Sequence, residues 1–176
     1  HRAMGGQGYH KGETIPSISP SMDIQVSSNF ERALFDAYDR DGGAVKQLMQ
    51  DLNAGGFDIS QGAMQALQEI YDSGRASEAE TSAEITASLR ATGELLCPHS
   101  AIGVKVAEDH LDPDVPMITL ATAHPAKFPD AVEAATGIRP PLPPRMADLY
   151  DKPERVTRVP NDLEALKAHI KGHISA

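Results

Sequence analysis

Val115 to Thr122 reads VPMITLAT, an apolar run with β-branched residues and no polar alternation. That pattern predicts a strand covered on both faces, as in a parallel sheet. Such a strand constrains the whole fold, because each buried backbone group left unpaired costs roughly 1–3 kcal/mol. The DIQV stretch from Asp23 to Val26 offers at most a short second strand, still too few for an α/β sheet. The strand's natural neighbours are therefore expected outside these 176 residues.

The rest of the chain reads as helix and loop. His1 to Pro20 mixes glycine and proline with polar residues and predicts an extended or looped entry. Ser28 or Asn29 can cap a helix that carries Phe30, Leu34, Phe35 and Tyr38 at helical spacing. Asp41, Gly42 and Gly43 should interrupt it, and a second helix resumes through Val45, Leu48, Met49 and Leu52 before the NAGG stretch. Met64, Leu67, Ile70 and Tyr71 predict a third helix stopped at Gly74. Ile85 and Leu89 mark a fourth, broken by Pro98. A fifth starts from Ser100 and turns Ile102, Val106 and Leu111 inward. Residues 138–176 form a proline-rich tail ending in a helix capped by Asn161 or Asp162, with Leu163, Leu166 and Ile170 on one side.

Composition narrows the function classes. A formal charge of −9 repels a phosphate backbone, and with no basic run to offset it nucleic acid is not an expected partner. There is no apolar run of about 18 residues and no charged-then-apolar leader, so neither a membrane span nor a secretory signal is expected. Cys97 is the only cysteine, which excludes an internal disulfide and suits a reducing, cytoplasmic setting.

Three stretches carry a specific resemblance: SPSMDIQVSSNFERALF from Ser19, CPHSAIGV from Cys97, and LATAHPAKFPDAVE from Leu120. In that order and at those separations they resemble the C-terminal part of the threonine synthase family. Ser100 stands where the family has threonine, and Ala121 where serine is common. The resemblance implies an α/β fold, namely the C-terminal portion of a three-layer domain of pyridoxal-phosphate fold type II, related to the tryptophan synthase β subunit. As isolated, the chain would be mostly helical with few strands. It implies a pyridoxal-phosphate-dependent carbon–oxygen lyase that converts O-phospho-L-homoserine and water to L-threonine and phosphate. The cofactor acts as an electron sink that the protein positions and tunes.

By that resemblance Thr122 matches the hydroxyl that meets the pyridine nitrogen. His124, Lys127, His99 and Ser100 would be cofactor-side residues with orienting roles. The family's Schiff-base lysine and its glycine-rich phosphate loop belong upstream. None of Lys11, Lys46, Lys105, Lys127 and Lys167 matches the lysine motif. The chain begins without methionine, and it is expected to be the C-terminal segment of a larger enzyme, inactive alone and not retaining the cofactor. Its first partner would be the missing N-terminal part of the same polypeptide.

Other readings stand beside these. Thr122 and Ser100 can each serve as helix caps, and Lys127 as a surface side chain. Ser27, Ser28, Asn29 and Arg32 surround a helix start, where hydroxyls, free amides and a guanidinium can converge on a substrate anion; an ordinary cap beside a surface arginine is the plain alternative. Cys97 reads as a small buried apolar residue. His169 and His173 stand four apart, but without a third ligand they predict a solvated helix face and no metal site. Another fold type II lyase, such as an amino-acid dehydratase, is the alternative within enzymes. A non-catalytic helical binding module is the alternative outside them.

Overall fold

The structure, a computed structural model, describes residues 3–6 and 8–174. It contains β1 (Tyr9–His10), α1 (Phe30–Ala37), α2 (Gly42–Ala54), β2 (Gly56–Phe57), α3 (Gln61–Gln68), α4 (Glu78–Thr92), α5 (Pro98–Glu108), α6 (Pro129–Thr136) and α7 (Leu163–Ile174). Two compact units divide the chain, His1–Pro141 and Leu142–Ala176.

The first unit has two centres of burial. Leu34, Leu48, Leu52, Phe57 and Leu67 form one, drawn from α1, α2, β2 and α3, with Tyr9 and Phe30 packed against it. Tyr9 meets the rings of Phe30 and Phe57 edge-on, at centroid distances of 5.8 and 5.6 Å. Ile85, Ala101 and Val132 form the other, where α5 and α6 pack on α4. Between them, Gly74 lies so close to α5 that a Cβ there would stand 2.6 Å from Val106 Cγ1.

Local chemistry explains most boundaries. Asp41 does more than interrupt: its side chain accepts from the Gly43 and Ala44 amides at 2.7 and 3.1 Å, so both glycines fall inside the first turn of α2. Ser77 and Glu80 form a reciprocal capping box at the start of α4, and Gly93 in the left-handed region ends it. Pro98 opens α5 rather than only breaking α4, because a residue at N1 needs no amide hydrogen. Asp162 caps α7, accepting from the Ala165 amide at 2.7 Å.

Several expectations are corrected. α3 ends at Gln68, and Ile70 and Tyr71 are exposed beyond it. Leu111 is 64% exposed, past the end of α5. Asn29 occupies the N-cap of α1 in a helical conformation with no side-chain cap bond. Asp23 to Val26 forms no strand; the Asp23 carboxylate instead accepts from the Ser17 amide and hydroxyl, both at 2.7 Å. The two-residue antiparallel ribbon β1–β2, pairing Tyr9 with Phe57 and His10 with Gly56, is not legible in the sequence pattern.

The apolar run behaves as a strand without a sheet. It forms no ladder among the described residues, and only Val115 makes an isolated bridge, to Asp112. The run rests on α5 at Thr119, whose Cγ2 would lie a tight 3.2 Å from a Cβ at Gly103. Ile118 and Leu120 are 79% and 76% exposed. An open cleft of about 330 Å³ lies between the run and α5, lined by Gly103, Val106, Met117, Ile118 and Leu120.

In the second unit two short 3-10 turns, Pro144–Met146 and Leu149–Asp151, precede α7, which buries no residue. Leu163, Leu166 and Ile170 are all exposed there.

Candidate functional site

The first turn of α5 is buried from Pro98 to Ala101, and the helix start is capped by a sulfur: Cys97 Sγ accepts from the Ser100 amide at 3.5 Å. This places Ser100 Oγ where the apolar run ends. The Thr122 amide donates to Ser100 Oγ at 3.0 Å, and the two hydroxyl oxygens lie 3.2 Å apart. Cys97 Sγ completes a triangle, 3.3 Å from Ser100 Oγ and 3.7 Å from Thr122 Oγ1. The backbone of Thr122 is thus fixed from below, while the residue itself is exposed.

Cys97 is the member that sequence reasoning undervalued. It is buried as expected, yet its sulfur is a polar partner of both hydroxyls. Its place three residues before Ser100, ahead of a proline at N1, is the cap signature that could have revealed this. Burial pushes the thiol's pKa up, but donation from the Ser100 hydroxyl and amide, the Thr122 hydroxyl and the Ala123 amide outweighs it and holds the thiol below its ordinary value.

His99 sits beside this triangle and turns the other way. Its Nε2 accepts from the Ser21 amide at 3.0 Å, and its ring packs on Phe128 with centroids 4.5 Å apart. Its pKa lies below the ordinary imidazole value, first through burial and then through the positive charge of Lys127; Asp23 and the Ser19 carbonyl oppose the shift. His124 caps the short turn Pro125–Lys127, its Nδ1 accepting from the Ala126 amide at 3.2 Å. Lys127 is exposed, its Nζ 5.8 Å from the Phe128 ring centroid.

The structure therefore brings Ser100 and Thr122 together, and places His99, Phe128 and Lys127 around the next turn. Ser27, Ser28, Asn29 and Arg32 form no hydrogen bond or ion pair with that group among the described residues. The Ser27 amide donates to the Tyr9 hydroxyl, and Ser28, Asn29 and Arg32 are exposed. Ser27 does line the larger cleft, about 940 Å³, together with Tyr9, His10, Asp23, Gln25 and Phe30. His169 and His173 pack ring to ring on α7, and no cluster suited to a metal occurs among the described residues. No helix of the described residues is long and apolar enough to cross a membrane.

The family described as "Threonine synthase, C-terminal" matches residues 100–170. The threonine synthase of Pseudomonas aeruginosa is 45% identical over 176 residues, covering 98% of this chain and 38% of that protein. The threonine synthase of Methylobacillus glycogenes is 38% identical, covering 92% and 34%. Among solved structures, PLP-bound threonine synthase from Brucella melitensis superposes with a TM-score of 0.87 at 46% identity, covering 99% of this chain and 38% of that one. Yeast threonine synthase gives 0.80 at 28% identity, covering 99% and 40%. The chain spans between a third and two-fifths of the length of these relatives.

Proposed function

The chain belongs to the threonine synthase family, matching its C-terminal part, and from that premise we propose that it contributes to an enzyme converting O-phospho-L-homoserine and water to L-threonine and phosphate. The observation that carries this reading is the triangle of two hydroxyls and a thiol at the start of α5. Ser100 holds the backbone of an exposed threonine whose hydroxyl contacts only neutral groups, Ser100 and Cys97. A neutral hydroxyl suits a pyridine nitrogen that is to be oriented without being kept protonated, as a carboxylate partner would keep it. When bound, pyridoxal phosphate supplies an electron sink for chemistry at the amino-acid carbons.

Thr122 would hold the ring nitrogen, with Ser100 fixing its orientation and Cys97 closing the triangle behind. His99, His124 and Lys127 shape the adjoining turn. Ser27, Ser28, Asn29 and Arg32 would meet the substrate's phosphate or carboxylate along the larger cleft, a role supported by the exposure of Arg32 and by Ser27 lining that cleft. The cofactor lysine is assigned to the rest of the enzyme, so these residues alone would neither retain the cofactor nor turn over substrate. The unpaired backbone of Met117 to Leu120 is the edge on which strands of that remaining part would pair, and the exposed Ile118 and Leu120 side chains would be covered by it. A cytoplasmic setting accords with the lone cysteine, which is a free thiol.

The test is phosphate release from O-phosphohomoserine by the intact enzyme carrying this chain. Equimolar threonine and phosphate is the expected result. Formation of a 2-oxo acid from serine or threonine without phosphate release would instead identify a dehydratase. No turnover of any amino acid would identify a binding module.

A further inference from the structure

His99 belongs to the first turn of α5, yet its bonds point away from the helix. The ring is 5% exposed, its Nε2 accepts from the Ser21 amide 78 residues earlier, and its face packs on Phe128. An imidazole nitrogen that accepts carries no proton, so the neutral ring must be protonated at Nδ1. That Nδ1 is buried and has no hydrogen-bond partner among the described residues. The bond through Nε2 is therefore the one that ties the ring to another part of the chain.

The turn held by Nε2 is itself built to be held. The Ser17 hydroxyl and amide both donate to Asp23, the Ser19 amide donates to Ser17 Oγ, and the Met22 amide closes on the Ser19 carbonyl at 2.9 Å. At its start the Ile18 amide donates to Glu78 at the head of α4. It is a rigid loop with two attachments, of which His99 is the one next to Thr122's helix start. The three stretches that marked the sequence therefore meet at one imidazole: Ser21 from the first, His99 from the second, Phe128 from the third.

We propose that His99 is a positioning residue, a neutral clasp that locks the Ser19–Met22 turn and Phe128 onto the head of α5 and so fixes the frame in which Ser100 presents Thr122. Only the consequence for chemistry rests on the function proposed above; the clasp does not. It opens on protonation, since a ring charged at both nitrogens cannot accept from Ser21. The charges facing it are Lys127, which resists protonation, and Asp23, which favours it, and the positive end of α5 adds to the resistance. Because the folded pKa is depressed, the clasp is fully closed above the ordinary imidazole value of about 6.5 and is lost as pH falls through the lower, folded value.

The experiment uses the intact protein labelled with ¹⁵N at histidine, together with amide exchange at Ser21, in wild type, His99→Gln and His99→Asn. A glutamine carbonyl reaches the place of Nε2, and an asparagine carbonyl falls short of it. His99 should remain a neutral Nδ1–H ring to a lower pH than a histidine in an unfolded control peptide does. Ser21 exchange, corrected for its intrinsic pH dependence, should rise as His99 titrates. Asparagine should raise it about tenfold at neutral pH, the ordinary worth of one hydrogen bond; glutamine should keep it within about threefold of wild type and remove the pH step. An Nε2–H tautomer, a ring that titrates with the control peptide, or equal behaviour of the two variants, unfolding included, would overturn the clasp. If the clasp holds and phosphate release is absent, the proposed function falls and this inference stands.

Discussion

Replacing Ser100 with alanine removes the side chain that bonds both the backbone and the hydroxyl of Thr122, at the end of the apolar run, to α5. Three contacts disappear: the bond from the Thr122 amide at 3.0 Å, the hydroxyl pair at 3.2 Å and the weaker contact with Cys97 Sγ at 3.3 Å. Each of the two oxygen-to-oxygen or nitrogen-to-oxygen bonds contributes about 0.5–1.5 kcal/mol net, so with little added by the weak sulfur contact the loss lies between about 1 and 3 kcal/mol. Thr122 is exposed and its amide can be rehydrated, which places the value near the lower end, about 1–1.5 kcal/mol. The Ser100 amide keeps its bond to Cys97, so the helix cap survives. For a chain of this size the change should lower the melting temperature by about 2–6 °C. Urea unfolding followed by circular dichroism measures the free energy, and amide exchange at Thr122 locates it. Ser100→Thr, which retains the hydroxyl, should protect the Thr122 amide as serine does. A serine-to-alanine change within about 0.3 kcal/mol of zero, or an unaltered Thr122 amide, refutes the reasoning.

Gly56→Ala should be the most damaging single methyl: Gly56 has φ of +152° and a Cβ would stand 2.7 Å from His10 Cα. A loss of about 2–4 kcal/mol, with β1 detached from β2, is expected in denaturant titration. Arg32→Ala in the intact enzyme should raise KM for O-phosphohomoserine about tenfold with kcat little changed; unaltered kinetics would remove Arg32 from the substrate site. Ile118→Asp should leave the stability of this chain within about 0.5 kcal/mol, because the residue is already exposed, while preventing assembly with the rest of the enzyme in a co-expression assay.

The helices were legible where burial is one-sided and local. Leu34, Leu48, Leu52, Leu67 and Ile85 all stand in centres of burial, as their spacing implies. Boundaries set by a single polar atom were less so. Asp41 reads as a break and proves to be a cap, whereas Asn29 reads as a cap and makes no cap bond. The apolar run shows why a strand cannot be inferred from side chains alone: its pattern specifies two covered faces, but a ladder also needs a neighbouring backbone, and none of the described residues provides one. Ser100 and Thr122 were named as site residues from sequence, but their mutual bond was not, and neither was the part played by Cys97. A contact across 22 residues depends on where α5 begins, and that is decided by a proline tolerated at N1.

The two burial centres of the first unit have a use in protein engineering. They are joined by the irregular stretch from Tyr71 to Ser77, so a fluorescent reporter or a split-protein junction placed there would sever neither. The insertion must spare Gly74, whose missing side chain leaves room for Val106. Reporters flanking that point would register any separation of the two centres, because Gly74 holds α5 close to it.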